Sequence, residues 1–302
     1  MLNITGNKKI YLTISIVLMI VSIVSLALQG FNLDTDFAGG MAVTYTIEGD
    51  FEVKDVEAIV SEALGAKQKA SSVQKSEGTD VIIKFGYDNS LKTEEERTAF
   101  SSEKISAITT ALSAKYAGVE LKNQDVVSPS TGKELARSAM WMSIFASLAI
   151  LVYITFRFEF TYGVVAVLAL VHDILILCGL YSVLRIAIDT NFIAALLTIL
   201  GYSINNTIVV FDRVRENTRH AKKQTYSEIA NTSINQTLGR SINTTITTLL
   251  TIGLVYILGV PSIKVFSLPI IIGIVIGTYS SIFCAAPLWA AWKDSAVKSK
   301  KA

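Results

Sequence analysis

His172 and Asp173 stand side by side in the middle of an apolar run, in a chain of 302 residues that has only two histidines. An ionisable side chain at the centre of a membrane helix costs about 2.5–3.5 kcal/mol on insertion scales. Such a pair can bind a proton or couple two helices; it can also stay protonated or paired and merely orient its own helix. The tract Gly201-Tyr202-Ser203-Ile204-Asn205-Asn206-Thr207 places two adjacent amides in another apolar run. Ser203 and Asn206 are three apart and share a helix face. Lipid offers an amide no partner, so these groups are either interhelical glue, worth about 0.6 kcal/mol a bond, or part of an ion path. A third group, Arg240, Thr244, Thr247, Thr248 and Thr251, follows helical spacing and forms one hydroxyl stripe topped by a guanidinium. Beside the polar run at 201–207 it predicts a buried polar seam, with snorkelling of Arg240 to the membrane surface as the alternative.

These residues need helices that cross a bilayer. The chain is 51% hydrophobic and 17% charged, with a mean hydropathy of +0.48, well below the roughly 25% charge of a soluble domain. Apolar windows long enough to span place helices at 10–30, 138–156, 162–184, 190–211, 238–260 and 265–292. The first follows Lys8 and Lys9, but it is too long for a signal-peptide core and Gln29-Gly30-Phe31 is a poor cleavage site. It is read as a retained span.

Basic residues cluster at alternate span ends: Lys8 and Lys9, then Arg157, then Arg213, Arg215, Arg219, Lys222 and Lys223, then Lys293, Lys298, Lys300 and Lys301. With six spans all four groups fall on one side, while the opposite short loops hold Arg185 and Lys264. The positive-inside rule then makes both termini (1–9 and 293–302) and a loop at 212–237 cytoplasmic and puts 31–137 outside.

Residues 31–137 carry eighteen of the 25 acids and twelve of the 27 bases, as a water-facing block should. Met41, Val43, Tyr45 and Ile47 alternate with polar neighbours, a half-buried strand. Val53–Leu64 gathers Val53, Val56, Ile59, Val60, Ala63 and Leu64 on one helical face. Asp80–Phe85 is a second strand, Thr93–Tyr116 a helix with acids at its positive end, and Gly118–Val127 a third strand. The order β-α-β-α-β predicts a small α+β domain with its helices on one face of the sheet. The fold class is therefore a multi-pass helical membrane protein with one small extracytoplasmic α+β domain.

Cys178 and Cys284 both sit in apolar runs, and with two histidines no metal cluster can be assembled. No P-loop, GxSxG or HExxH pattern occurs. No enzyme activity, cofactor, metal or nucleic-acid partner is expected. The tract Phe211-Asp212-Arg213-Val214-Arg215-Glu216-Asn217 reads by itself as a positive-inside anchor with local salt bridges, and Gly273 with Gly277 as a small-residue pair for close helix packing.

Together these tracts resemble SecF, the smaller subunit of the SecDF protein-export complex. Asp36-Phe37-Ala38-Gly39-Gly40 resembles the family's D-F-x-G-G signature, and Val171-His172-Asp173 its third-span V/A-H-D. The fourth-span run from Gly201 and Tyr202 through Asp212, Arg213, Arg215, Glu216 and Asn217 resembles its most specific stretch. Arg240-Ser241-Ile242-Asn243-Thr244 resembles its fifth-span arginine motif.

The resemblance implies an RND-type half of six helices that pairs with six from SecD. It also implies association with the SecYEG channel and SecA in the cell membrane, and use of a proton (or sodium) gradient to move preproteins late in export. The ion-pathway or coupling candidates are then Arg240, Asn206, Asp173, His172, Ser203, Asn205, Thr244 and Thr248. Position 206 departs from the family's G-Y-S-I-N-D pattern: Asn206 keeps the shape of the acid but carries no titrating proton. That leaves Asp173 as the acid within these spans, or moves ion binding to the partner. A small-molecule or lipid exporter subunit of the same superfamily is the alternative function, disfavoured by an outer domain too small for a substrate pocket. A structural scaffold, with the seam as helix glue, is the third.

Overall fold

The computed structural model describes residues 1–299 apart from 66–69, 77, 89, 90, 92, 158 and 222. Lys222, Lys300 and Lys301, counted above among the span-end bases, lie outside the described residues. In chain order the elements are α1 (Lys8–Gln29), α2 (Thr35–Ala38), β1 (Gly40–Thr46), α3 (Val53–Leu64), β2 (Ala70–Lys75), β3 (Asp80–Gly86), α4 (Glu94–Lys115) and β4 (Glu120–Val127). There follow α5 (Pro129–Arg157), α6 (Phe160–Val183), α7 (Thr190–His220), α8 (Tyr226–Leu258), α9 (Pro261–Tyr279), a π-helical segment (Ser280–Ala285) and α10 (Ala286–Ser299).

The α+β domain has one more strand than the sequence pattern predicts. Its sheet has the order β2-β3-β1-β4, antiparallel throughout, which with α3 and α4 makes the split β-α-β-β-α-β arrangement. The extra strand, β2, has the sequence Ala-Ser-Ser-Val-Gln-Lys; with a single branched apolar residue and an edge position it carries no alternation to read. The predicted inward face is observed: Met41, Val43, Tyr45 and Ile47 are buried with Val81, Ile83 and Phe85 against Val56, Val60, Leu64, Ile108 and Leu112 of the two helices. Thr93 caps α4 through a reciprocal capping box with Glu96, satisfying two donors the helix start leaves open.

Among the described residues six helices are long and apolar enough to cross a membrane, the last running continuously from Ile263 to Val297 through the π segment. The chain is a multi-pass membrane protein. Several helices outrun their apolar windows. The segment 212–237, expected as a loop, is helical over most of its length, because α7 continues to His220 and α8 starts at Tyr226 behind a Thr225–Glu228 capping box. α6, α7 and the α9–α10 rod bury about half of their apolar windows, whereas α1, α5 and α8 bury less than a fifth of theirs. The inner three form the core, with Tyr162, Phe211 and Trp289 in ring contact at one end. α1 and α6 run parallel, Ser25 bonding Ser182 at 2.8 Å.

Candidate functional site

Asp173 is the centre of the polar interior. It is 2% exposed, and its Oδ1 faces Nδ1 of His172 at 2.9 Å. Its Oδ2 accepts from Ser203 of α7 at 2.5 Å and from Ser280 at 2.9 Å. One carboxylate thus ties α6 to α7 and to the start of the π segment. Ser281, the next residue, bonds Thr207 of α7 at 2.9 Å. In a regular α-helix neighbouring side chains diverge by about 100°; the wider π turn lets Ser280 and Ser281 both reach the α6–α7 side. π segments of this kind recur at functional sites.

Close packing makes the cluster possible. A Cβ on Gly277 would lie 2.9 Å from Cβ of Ser203, and one on Gly273 would meet the side chain of Ile199 at 2.4 Å. The two glycines therefore let α9 approach α7 to contact distance, the small-residue packing expected of them.

The candidate residues do not converge on one seam. His172, Asp173, Ser203 and Asn206 are buried, but Asn205, Arg240 and Thr244 are exposed and Thr248 half-buried. The stripe on α8 therefore faces outward, correcting the buried seam expected of it. α7 and α9 pack on the other face of α8, and the outward hydroxyls are satisfied within their own helix: Thr248 donates to the carbonyl of Thr244 at 2.8 Å, Thr247 to that of Asn243 at 3.0 Å and Thr251 to that of Thr247 at 3.0 Å. Hydroxyls satisfied by their own helix need no interior partner. The inward face of α8 instead carries Thr245, which bonds Tyr202 at 3.3 Å and Thr278 at 2.9 Å. Among the described residues Nδ2 of Asn206 and Oγ of Ser241 are buried without a hydrogen-bond partner. Gly201 is exposed, with open space beside it.

Arg240 lines a cleft of about 490 Å³ with Tyr153, Asp212, Arg213, Glu216 and Gln236. Around it the 211–217 tract knits α7 to α8. Arg213 donates to Gln236 at 2.7 Å and to Glu216 at 2.6 Å, while Asn217 donates to Ser233 and Gln236, each at 2.8 Å. Arg215 lies close enough to Tyr162 to influence it electrostatically.

The Asp36-Phe37-Ala38-Gly39-Gly40 tract is the joint between the two parts of the molecule. Lys84 on β3 lies 2.7 Å from Asp34 and 3.5 Å from Asp36. The other oxygen of Asp36 accepts from the backbone N–H and hydroxyl of Thr190, the first residue of α7, where a carboxylate also complements the helix dipole. Burial pushes the Lys84 ammonium down, but its bond to Asp34 and the fields of Asp36 and Asp189 outweigh that and leave it above the ordinary lysine value. Gly39 has φ +82° and Gly40 passes so close to Phe85 that a Cβ would lie 2.5 Å from its carbonyl oxygen; only glycine fits both. Phe37 is buried in the helical core.

Sequence reasoning missed Lys84, Thr190, Tyr279, Ser280, Ser281 and Ser15. The run Tyr279-Ser280-Ser281 inside the sixth apolar window was the signal available for three of them.

Residues 107–295 match the family described as protein export membrane protein SecD/SecF, C-terminal. The chain is 37% identical over 291 residues to the protein translocase subunit SecF of Sebaldella termitidis, covering 95% of this chain and 90% of that one. It is 33% identical to the protein translocase subunit SecDF of Bacillus subtilis, covering 99% of this chain and 39% of that longer protein. The crystal structure of SecDF from Thermus thermophilus, described as a translocon-associated membrane protein, superposes with a TM-score of 0.79 at 33% identity, over 97% of this chain and 39% of that one. With the family matched over more than half its length and a relative matched almost end to end, this chain belongs to the SecD/SecF family of protein-export membrane proteins.

Proposed function

We propose that the chain is an auxiliary membrane subunit of the Sec export machinery, working with SecD beside the SecYEG channel and SecA, and coupling the proton (or sodium) gradient to late steps of preprotein translocation. The observation that carries this reading is likeness along nearly the whole chain to a protein translocase subunit SecF. A buried ionisable pair in the third span, bonded to two other helices, supports the coupling part. Moving one charge through 100 mV is worth about 2.3 kcal/mol, enough for a few steps to bias backsliding of a chain in a pore.

In this reading the protein lies in the cell membrane with both termini cytoplasmic and the α+β domain outside. Motion of α7 reaches that domain through Thr190, Asp36 and Lys84. Arg240 and the cleft around it face the partner subunit, and the outer domain meets the emerging preprotein.

The test is completion of export of a signal-peptide-bearing reporter into inverted membrane vesicles after ATP is exhausted. It is run with and without this chain, with the gradient intact or collapsed. Completion that requires both supports the reading, and equal completion in all four conditions overturns it.

A further inference from the structure

If the coupling proton binds this chain, Asn206 of the fourth span does not carry it, and another acceptor is needed. Hydrogen-bond counting identifies one. Oδ2 of Asp173 is occupied by the hydroxyls of Ser203 and Ser280, and Oδ1 faces Nδ1 of His172. The arrangement in which each of these hydrogens points at a carboxylate oxygen has the proton of neutral His172 on Nδ1. That leaves a lone pair on Nε2, and Nε2 is buried without a hydrogen-bond partner among the described residues.

His172 also stands at the meeting point of two polar seams. On one side of α6, Asp173 reaches Ser203 and Ser280, with Thr207 and Ser281 beyond. On the other, α1 presents Ser15, Ser22 and Ser25, all buried. Ser25 bonds Ser182, and Ser22 sits against Gly179; in two parallel helices, seven residues back on each brings Ser15 level with His172. Ser15 lies 3.1 Å from Sγ of Cys284 and 3.4 Å from the hydroxyl of Tyr279. The Tyr279 ring stacks beside the imidazole with centroids 6.4 Å apart, and its hydroxyl donates to the carbonyl of Tyr11. The titratable groups recorded beside the imidazole are Asp173 on its own helix and Tyr279 from α9, with Cys284 of the π segment one step further, on Ser15. Tyr11 and Ser15 of α1 both contact Tyr279, and α7 adds the neutral Ser203 on the carboxylate. Among the described residues the ion-pair partner of Asp173 is His172.

We propose that Nε2 of His172 is the atom that takes up the coupling proton in this chain. An incoming proton bonds to the Nε2 lone pair; the Nδ1 proton stays on the bond to Asp173, and the pair passes from one net negative charge to none. Asp173 is a positioning residue here, holding the tautomer and balancing the imidazolium. The proposal rests on the gradient-coupling reading for its purpose, but its test does not.

The two histidines of the chain make the test direct. The His220→Gln protein, altered only at an exposed helix end, is labelled with 15N-histidine, reconstituted in vesicles with its partner subunit, and followed by ring-nitrogen NMR between about pH 5 and 8. The expected result is one nitrogen, Nδ1, protonated throughout and Nε2 shifting from the unprotonated to the protonated range as pH falls. Two unchanging nitrogens, or Nδ1 as the unprotonated one at high pH, would overturn it. Run beside the export assay, the two ideas separate. A titrating Nε2 with gradient-independent export overturns the coupling function alone. A fixed Nε2 with gradient-dependent export overturns the proton site alone.

Discussion

Ser203 donates its hydroxyl to Asp173 across the α6–α7 contact at 2.5 Å, and that bond joins the two helices directly inside the largely apolar core. Replacing Asp173 by leucine leaves the donors of Ser203 and His172 facing a side chain that accepts nothing, while Ser280 keeps the carbonyl of Gly277 at 3.1 Å. Stranding a buried polar group costs on the order of 1–3 kcal/mol. Asp173→Leu should therefore lower the unfolding temperature in detergent clearly, and Ser280→Ala much less. Equal melting of Asp173→Leu and wild type would refute the role of this carboxylate in helix packing.

Gly277→Leu should be worse than its position on a membrane helix suggests. Its side chain must displace Ser203, and overpacking typically costs about 1–3 kcal/mol. Denaturation of the purified protein would show this, along with loss of any property that depends on Ser203 meeting Asp173. A variant as stable as wild type would mean that α9 can move away from α7 freely.

Lys84→Ala removes the cation between Asp34 and Asp36. Asp34 is 5% exposed at its side chain, and breaking a buried pair from one side costs about 3–5 kcal/mol. Hydrogen exchange should then rise at the start of α7 and along β3 while the helical core stays protected. Unchanged exchange at Thr190 would show that the joint does not depend on this lysine.

The Asp80 carboxyl is held below the usual carboxylate range, first by its bond from Lys122 and then by the Thr46 hydroxyl, at 2.6 and 2.7 Å. A carboxyl with a depressed folded value stabilises the fold fully above the unfolded value near ~3.9 and loses that contribution as pH falls through the lower folded value. Lys122 is 60% exposed at its side chain, so screening keeps the effect small. Lys122→Gln should lower amide protection in β1 and β3 slightly at neutral pH and leave it unchanged in acid, so that the acid limb flattens. An unaltered acid limb would assign the dependence to another group.

In export, Arg240→Ala should slow translocation at normal expression, because the guanidinium lines a cleft instead of bonding its own helix. Thr248→Val should be close to silent, since its hydroxyl already serves the Thr244 carbonyl. Reporter export rates in cells distinguish the two, and wild-type rates for Arg240→Ala would remove it from any coupling path.

Much of the fold is legible because burial writes a period into the sequence. The β1 alternation and the α3 face both follow from it, and six apolar windows are visible directly. β2 is invisible because one valine among small polar residues leaves no period. The third-span pair is legible since ionisable groups in apolar runs stand out. Ser280 and Ser281 are not, because serines in membrane helices so often bond their own backbone. The stripe on α8 is a single face, but nothing in its spacing says which way the face turns; that depends on where α7 and α9 pack.

The π segment also sets the phase of everything after it. Trp289, 1% exposed, stacks on Tyr162 with ring centroids 4.9 Å apart, about two turns beyond Ser281. Losing one residue from that wider turn would rotate α10 by about 100°, carrying the indole out of the core. The last span therefore tolerates no change of length at this point: the same local unwinding that brings two serines to the polar interior is what keeps the final anchor in register.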